Sequence, residues 1–168
     1  MTINKQFSDN ALIRNMRLCD VVSVGSRLRA ADLKELTHDG RKSQFAGLFE
    51  GLRDIHQSYT IEVAGSPEGL FGVGPAGYSE RAGMMWMVGT TTLIEDASYI
   101  FAKSSYWVVE QMLRNNPQYA YVHNYVHDEN TIAVAWLQRL GFTLANAYTR
   151  HGMNFLLLIK DNPYYKDV

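Results

Sequence analysis

The sequence has one cysteine, Cys19. That excludes an intramolecular disulfide and any zinc cluster built on cysteines. No run of lysine and arginine stands out, and 16 basic residues are offset by 17 acidic ones for a net charge of −1. A nucleic-acid partner is therefore not expected. The stretch Met1-Thr2-Ile3-Asn4-Lys5-Gln6 lacks the apolar core of a signal peptide. No apolar run approaches the roughly 20 residues of a membrane span. Repeats, low-complexity tracts and Pro/Gly/Ser linkers are also missing. These absences lead us to expect a soluble protein of a reducing compartment. Three familiar catalytic signatures are missing too: the Gly-x-Ser-x-Gly elbow, the Gly-Lys-Ser/Thr phosphate loop and the His-Glu-x-x-His helix.

What is present suffices for one domain over residues 1–168. The chain is 46% hydrophobic and 20% charged, a balance that can bury a core. Asn10–Arg17 reads as a leading helix within residues 1–18, and the β-branched run Asp20–Val24 as a strand. Arg29–Thr37 reads as a helix stopping at Asp39-Gly40. Ser43–His56 carries Phe45, Leu48, Phe49, Leu52 and Ile55 at helical spacing. The period then shortens. Tyr59–Ala64, Leu70–Val73 and Met84–Thr90 read as an antiparallel meander, with a turn at 65–69 and a loop at 75–83.

A helix over Asp96–Arg114 follows, ended by Asn115-Asn116-Pro117. Tyr119–Val126 is the next strand. Asn130 is placed to cap a helix over Thr131–Leu140, with Gly141 just past its end. Phe142–Thr149 and Met153–Lys160 are the last two strands, followed by a short tail over 161–168. The order β-α-α-β-β-β-α-β-α-β-β indicates an α/β fold. Its mixed, mostly antiparallel sheet has about six or seven strands flanked by about four helices.

Several polar residues sit where chemistry could occur. Glu62 lies on a central strand and is a candidate base, as are His123 and His127. Tyr119, Tyr121, His123 and Tyr125 share one strand face because the period is two. This aromatic-polar wall either lines a cleft or packs under a helix. His123 and His127 lie ~13 Å apart on a continuous strand. That is too far for one zinc with ~2 Å bonds, so no metal is expected. Asn124 sits inside a strand, where its amide could bridge a gap between neighbours.

The helix Asn130-Thr-Ile-Ala-Val-Ala-Trp136-Leu137-Gln-Arg-Leu140-Gly141-Phe142, behind the strand and the meander, resembles the second signature of the GNAT superfamily of N-acetyltransferases. The resemblance implies a GNAT fold and, for an enzyme, acetyl-CoA as cofactor. Val88, Gly89, Thr90, Asn124 and Asn130 would then be the candidate cofactor contacts. Tyr125 and Tyr148 would be candidate proton donors to the thiolate and Glu62 a candidate base.

Two departures argue against that chemistry. The family's Gly-rich turn corresponds to Thr90-Thr-Thr-Leu-Ile-Glu-Asp-Ala-Ser-Tyr99, which has no glycine and places Glu95 and Asp96 where phosphates would sit. The two carboxylates read as a helix cap. The family's tyrosine, seven residues after the helix-opening Asn, is Leu137.

A narrower resemblance rests on Ser26–Glu35, Leu70–Val73, Trp86–Thr90 and Tyr148–Gly152. These stretches are similar to a family of short-tailed phages whose members are called internal virion protein A or acetyltransferase-like proteins. It implies a protein of the infected host's cytoplasm, and of the virion if it is packaged, with a phage or host protein as partner. The expected function is binding during virion assembly or host takeover. The alternative is acetyl-CoA-dependent N-acetylation of a host or phage protein. The run Met84–Met87 and the tail residues Tyr164 and Tyr165 could form a contact surface or simply pack.

Overall fold

The computed structural model describes residues 3–37, 43–53 and 55–167. The Asp39-Gly40 stop lies outside them. Among the described residues, eight strands form one sheet, ordered β1-β2-β3-β4-β5-β6-β8-β7. Among these strands only β5 and β6 pair in parallel. Five α-helices and one π-helical turn among the described residues flank the sheet. Strands and helices both exceed the expected numbers, because the N-terminal region folds differently from its sequence reading.

The expected leading helix is a hairpin. β1 (Asn4–Ser8) and β2 (Ala11–Asn15) pair antiparallel, and β2 then pairs with β3 (Gln57–Val63). Ala11 and Ile13 are buried with a period of two, which a helix would not produce. Pairing with β3 overrides the helical preference of Ala, Leu and Arg.

The expected strand over Asp20–Val24 is the opposite error. It lies within helix α1 (Leu18–Gly25). The Arg17 N–H donates to Asp20 Oδ2 at 2.8 Å, which closes the first turn. Val21 and Val24, three apart, are buried, while Val22 is exposed. Helix α2 (Ala30–Thr37) and helix α3 (Gln44–Leu52) follow, the latter capped by Ser43, whose side chain accepts from the Ala46 N–H. Phe49 is exposed, so the buried stripe of α3 is narrower than its spacing suggested.

The meander is as expected, with longer strands. β4 (Ser66–Pro75) begins directly after a two-residue turn, Ala64-Gly65, both at positive φ. The register shifts between Ile61 and Glu62, which leaves Glu68 as the extra residue beside Pro67. β5 (Ala82–Gly89) completes the meander. Gly72 on β4 is required by a close approach: a Cβ there would lie 2.4 Å from the Trp86 ring.

A π-helical turn, Thr92–Asp96, leads into α4 (Ser98–Asn115). β6 (Tyr121–His127) runs parallel to β5, and α5 (Thr131–Arg139) returns the chain to β7 (Thr143–Arg150) and β8 (Met153–Asp161). Asn130 caps α5 by accepting from the Ala133 N–H, and Gly141 takes φ 87°. Both roles match the sequence reading.

Two cores sandwich the sheet. Phe71, Met85, Phe101, Met112, Val126 and Leu137 belong to the cluster under α4 and α5. Val21, Val24, Leu48, Leu70 and Val88 form the cluster under α1 and α3. The tail is docked: Asn162 is buried and donates to the carbonyls of Leu113, Asn116 and Tyr119. Tyr164 packs its ring against Arg114. Among the described residues no helix is long and apolar enough to cross a membrane.

Candidate functional site

β5 and β6 pair over three residues only, ending at Met84↔His123, and then diverge. The V-shaped opening between them is a cavity of about 690 Å³. Met84, Trp86 and Val88 line it from β5, and Asn124, Tyr125 and Val126 from β6. Asn130, the cap of α5, and Ala133 and Trp136 of α5 line it as well, as do Tyr148 and Arg150 of β7. Across from them stand Arg29, Asp32 and Glu35, together with Glu50 of α3.

The far end of β5 is occupied. The Gly89 N–H donates to Asp32 Oδ2 at 2.9 Å, and the Gly89 carbonyl accepts from the Arg29 N–H at 3.1 Å. Leu28 forms a bridge with Thr90. The Arg29 guanidinium grips Asp32 through two bonds of 2.7 and 2.8 Å, and both side chains are buried. The backbone groups that β5 turns toward the opening at Gly89 are thus already paired by the start of α2.

The other end of α2 reaches β6. Glu35 Oε1 accepts from Asn130 Nδ2 at 2.7 Å and from the His127 N–H at 3.2 Å. Lys34 pairs with Glu129 at 2.6 Å. Burial pushes the Glu35 carboxyl up to about 7, aided by Asp32 and opposed by the bond from Asn130. A carboxylate so placed exchanges protons near neutral pH. Glu35 was not a sequence candidate. The signal was available in the spacing, since Arg29, Asp32 and Glu35 recur every three residues and share one helix face.

The aromatic wall divides: Tyr125 lines the cleft, whereas Tyr119 is buried in the hydrophobic core and His123 is buried behind Tyr125. Tyr125 is 41% exposed and stands edge-on to both His123 and Tyr148, with ring centroids 5.3 and 6.1 Å apart. Tyr78 extends the row over His123 at 5.6 Å. Burial holds His123 below its ordinary value, so its imidazole is neutral at pH 7. Burial and the neighbouring phenols raise Tyr125, which keeps it protonated.

The other candidates scatter. Glu62 lies outside the cleft, ion-paired to Arg14 at 2.9 Å beside Asp20. Thr90 is buried; its hydroxyl bonds Glu68, and it does not line the cavity. His127 is buried against Phe155. β6 runs straight through Asn124, so no bend draws His123 and His127 together. Among the described residues no group of three or more His, Cys, Asp or Glu side chains could hold a metal ion.

An acetyl-CoA cofactor does not fit the residues present. Glu95 and Asp96 are exposed on the π-helical turn, and α4 begins after Ala97 with no side-chain cap. The expected carboxylate cap is therefore not formed, and carboxylates stand where an anion would need donors. Leu137 is 1% exposed inside the apolar core and offers no proton. Trp136 donates its indole N–H to Ser105 at 2.9 Å. Met85 and Met87 pack into the core, and Trp86 forms cleft wall.

No protein-family model matches the chain, and no curated protein matches it in sequence. Solved structures do. A ribosomal-protein-S5-alanine acetyltransferase from Vibrio fischeri superposes with a TM-score of 0.69 at 12% identity, covering 98% of this chain and 100% of that one. The chain has the GNAT fold. A GNAT-family acetyltransferase from Bacillus anthracis gives 0.67 at 11% identity, with 96% and 99% covered. A spermidine N-acetyltransferase from Vibrio cholerae, in complex with CoA and spermine, gives 0.62 at 13% identity, with 94% and 99% covered. At these identities the likeness establishes architecture, and activity must be argued from the site.

Proposed function

We propose that this chain works by binding a partner protein through its cleft, on an acetyltransferase scaffold that does not transfer acetyl groups. The observation that carries this reading is the pairing of Gly89, whose N–H goes to Asp32 of α2 and whose C=O accepts from the Arg29 N–H just before that helix. The bare π-helical turn and Leu137 support it. The partner is a phage or host protein, met in the host cytoplasm or in the virion. That setting draws on the four stretches similar to the phage family. Three of them contribute residues to the cleft, Ser26–Glu35 its α2 wall, Trp86–Thr90 the end of β5 and Tyr148–Gly152 its β7 rim, while Leu70–Val73 pairs with β5 behind it. The exposed phenols of Tyr78, Tyr125 and Tyr148 supply the aromatic surface that interfaces favour. The test is thermal unfolding with acetyl-CoA. No shift is expected, whereas saturable stabilisation at micromolar ligand would sink the reading.

One observation favours a second reading, an N-acetyltransferase acting on a protein amine. The cleft is open, and Glu35 titrates near neutrality within it. On that reading purified protein consumes acetyl-CoA in a host extract and Glu35→Gln abolishes the consumption. No consumption in any extract removes it.

A further inference from the structure

We propose that residues Leu28–Thr37 form an autoinhibitory latch, which when docked closes the wide end of the β5–β6 opening and when released exposes a slot for an extended, amide-bearing arm. The proposal goes beyond the binding reading and rests on it in one respect: the docked wild type excludes such an arm.

The first argument is where the latch binds. It crosses the opening and is tied to both walls. On the β5 side, Gly89 gives its N–H to Asp32 and its carbonyl to the Arg29 N–H. On the β6 side, Glu35 accepts from Asn130 and from the His127 N–H. The backbone groups it consumes at Gly89 belong to the unpaired edge of a strand. Such an edge is where an extended chain adds by main-chain hydrogen bonds.

The second argument is how the latch is held. Asp32 is the only fully buried residue of α2; the apolar anchoring of the latch is limited to Leu28 and Leu36, which pack half-buried against the cluster under α1 and α3. Most of its remaining anchors are polar, hydrogen bonds and ion pairs to Asp32 and Glu35, which water can replace at a net cost of about 1–3 kcal/mol each. An eight-residue helix has no stability of its own once undocked. Segments with few buried apolar contacts are the ones that open locally without global unfolding. The chain just before the latch is anchored differently: Arg27 Nη1 donates to both Glu68 carboxylate oxygens at 2.9 Å, and Nη2 donates to the Pro67 carbonyl. That fixes a pivot beside the opening.

Amide hydrogen exchange and NMR titration test this on the whole chain. Thr90 is the internal reference, because its N–H bonds the Glu68 carbonyl on β4 rather than a group of the latch. The Gly89 N–H should exchange at least roughly tenfold faster than that of Thr90, through a local opening. Equal protection, set by global unfolding, overturns the latch.

The second arm uses Arg29→Ala with Asp32→Ala. Removing both charges together avoids the uncompensated buried ion that a single substitution would leave. The folded double variant should show saturable shifts at Gly89 and Asn124 with millimolar pantetheine, and the wild type none. Glu35→Ala, at the far end of the latch, should respond in the same direction if the double variant does not fold. If neither variant nor wild type responds, the latch falls and the binding reading stands. If wild type and variants respond equally, the latch falls and the binding reading falls with it.

Discussion

Asn130 donates its side-chain amide to Glu35 while its own Oδ1 accepts from the Ala133 N–H. One residue therefore caps α5 and holds an α2 carboxylate over the cleft. Asn130→Ala removes both functions. Losing the cap costs about 1 kcal/mol, and a buried carboxylate short of one donor adds about 1–2 kcal/mol. Chemical denaturation should show a loss of about 2–3 kcal/mol. A double-mutant cycle with Glu35→Gln should show the two effects are not additive, because the residues touch.

Glu35 makes stability depend on pH in a definite direction. Its folded value, about 7, lies above the ordinary 4.5. The folded state therefore holds its proton in a range where the unfolded state has released it. The stabilisation is complete below pH 4.5 and is lost as pH rises toward 7. At most about 3 kcal/mol is involved, since one unit corresponds to about 1.4 kcal/mol. The groups around it are Asp32, which raises it, and Arg29 with the Asn130 amide and His127 N–H, which lower it. Glu35→Gln should flatten the decline in melting temperature between pH 5 and pH 8. An unchanged slope would place the titrating group elsewhere.

Arg14 joins Asp20 at 2.6 Å and Glu62 at 2.9 Å. Burial pushes the Asp20 carboxyl up, but Arg14, the Arg17 N–H and Thr60 outweigh it and hold the group below its ordinary value. Its contribution is thus present at neutral pH and lost as pH falls through the folded value. Arg14→Met leaves Asp20 buried without its partner and should cost about 3–5 kcal/mol. Glu62→Gln keeps Arg14 on Asp20 and should cost under about 1 kcal/mol. Neither change should alter ligand or partner binding at the cleft, which separates Glu62 from the base role its strand position suggested.

The parts of the fold that could be read from the sequence are those where local signals agree with tertiary packing. Asn130 and Gly141 bracket α5 because cap chemistry is local. Met84–Thr90 reads as a strand because both faces of β5 are covered. The N-terminal region misleads for the opposite reason. Ala11-Leu12-Ile13-Arg14 favours a helix by composition and becomes a strand through pairing with β3. Val21, Val22 and Val24 favour a strand and become a helix once Asp20 closes its first turn. The cleft is half legible. The element order implied splayed β5 and β6, and Asn124, Tyr125, Tyr148, Val88 and Asn130 do line the opening. The spacing of Arg29, Asp32 and Glu35 marks one polar helix face, but the partners of that face, Gly89 and Asn130, depend on where α2 docks, which local spacing does not encode.

Position 137 offers the sharpest contrast between scaffold and chemistry. The resemblance places a tyrosine there as the acid that would protonate a thiolate. Leu137 is instead sealed among the apolar side chains under α4 and α5. Leu137→Tyr forces a ring into a packed core and buries a hydroxyl among apolar neighbours, costing about 2–4 kcal/mol. Leu137→Phe isolates the volume part of that cost. Neither variant should consume acetyl-CoA, because the Gly89 backbone stays paired with α2 and the turn before α4 still presents Glu95 and Asp96. Turnover by the tyrosine variant, measured as thiol release, would mean that only the acid was missing. The pairing at Gly89 would then be no barrier, and the binding reading would give way to a transferase.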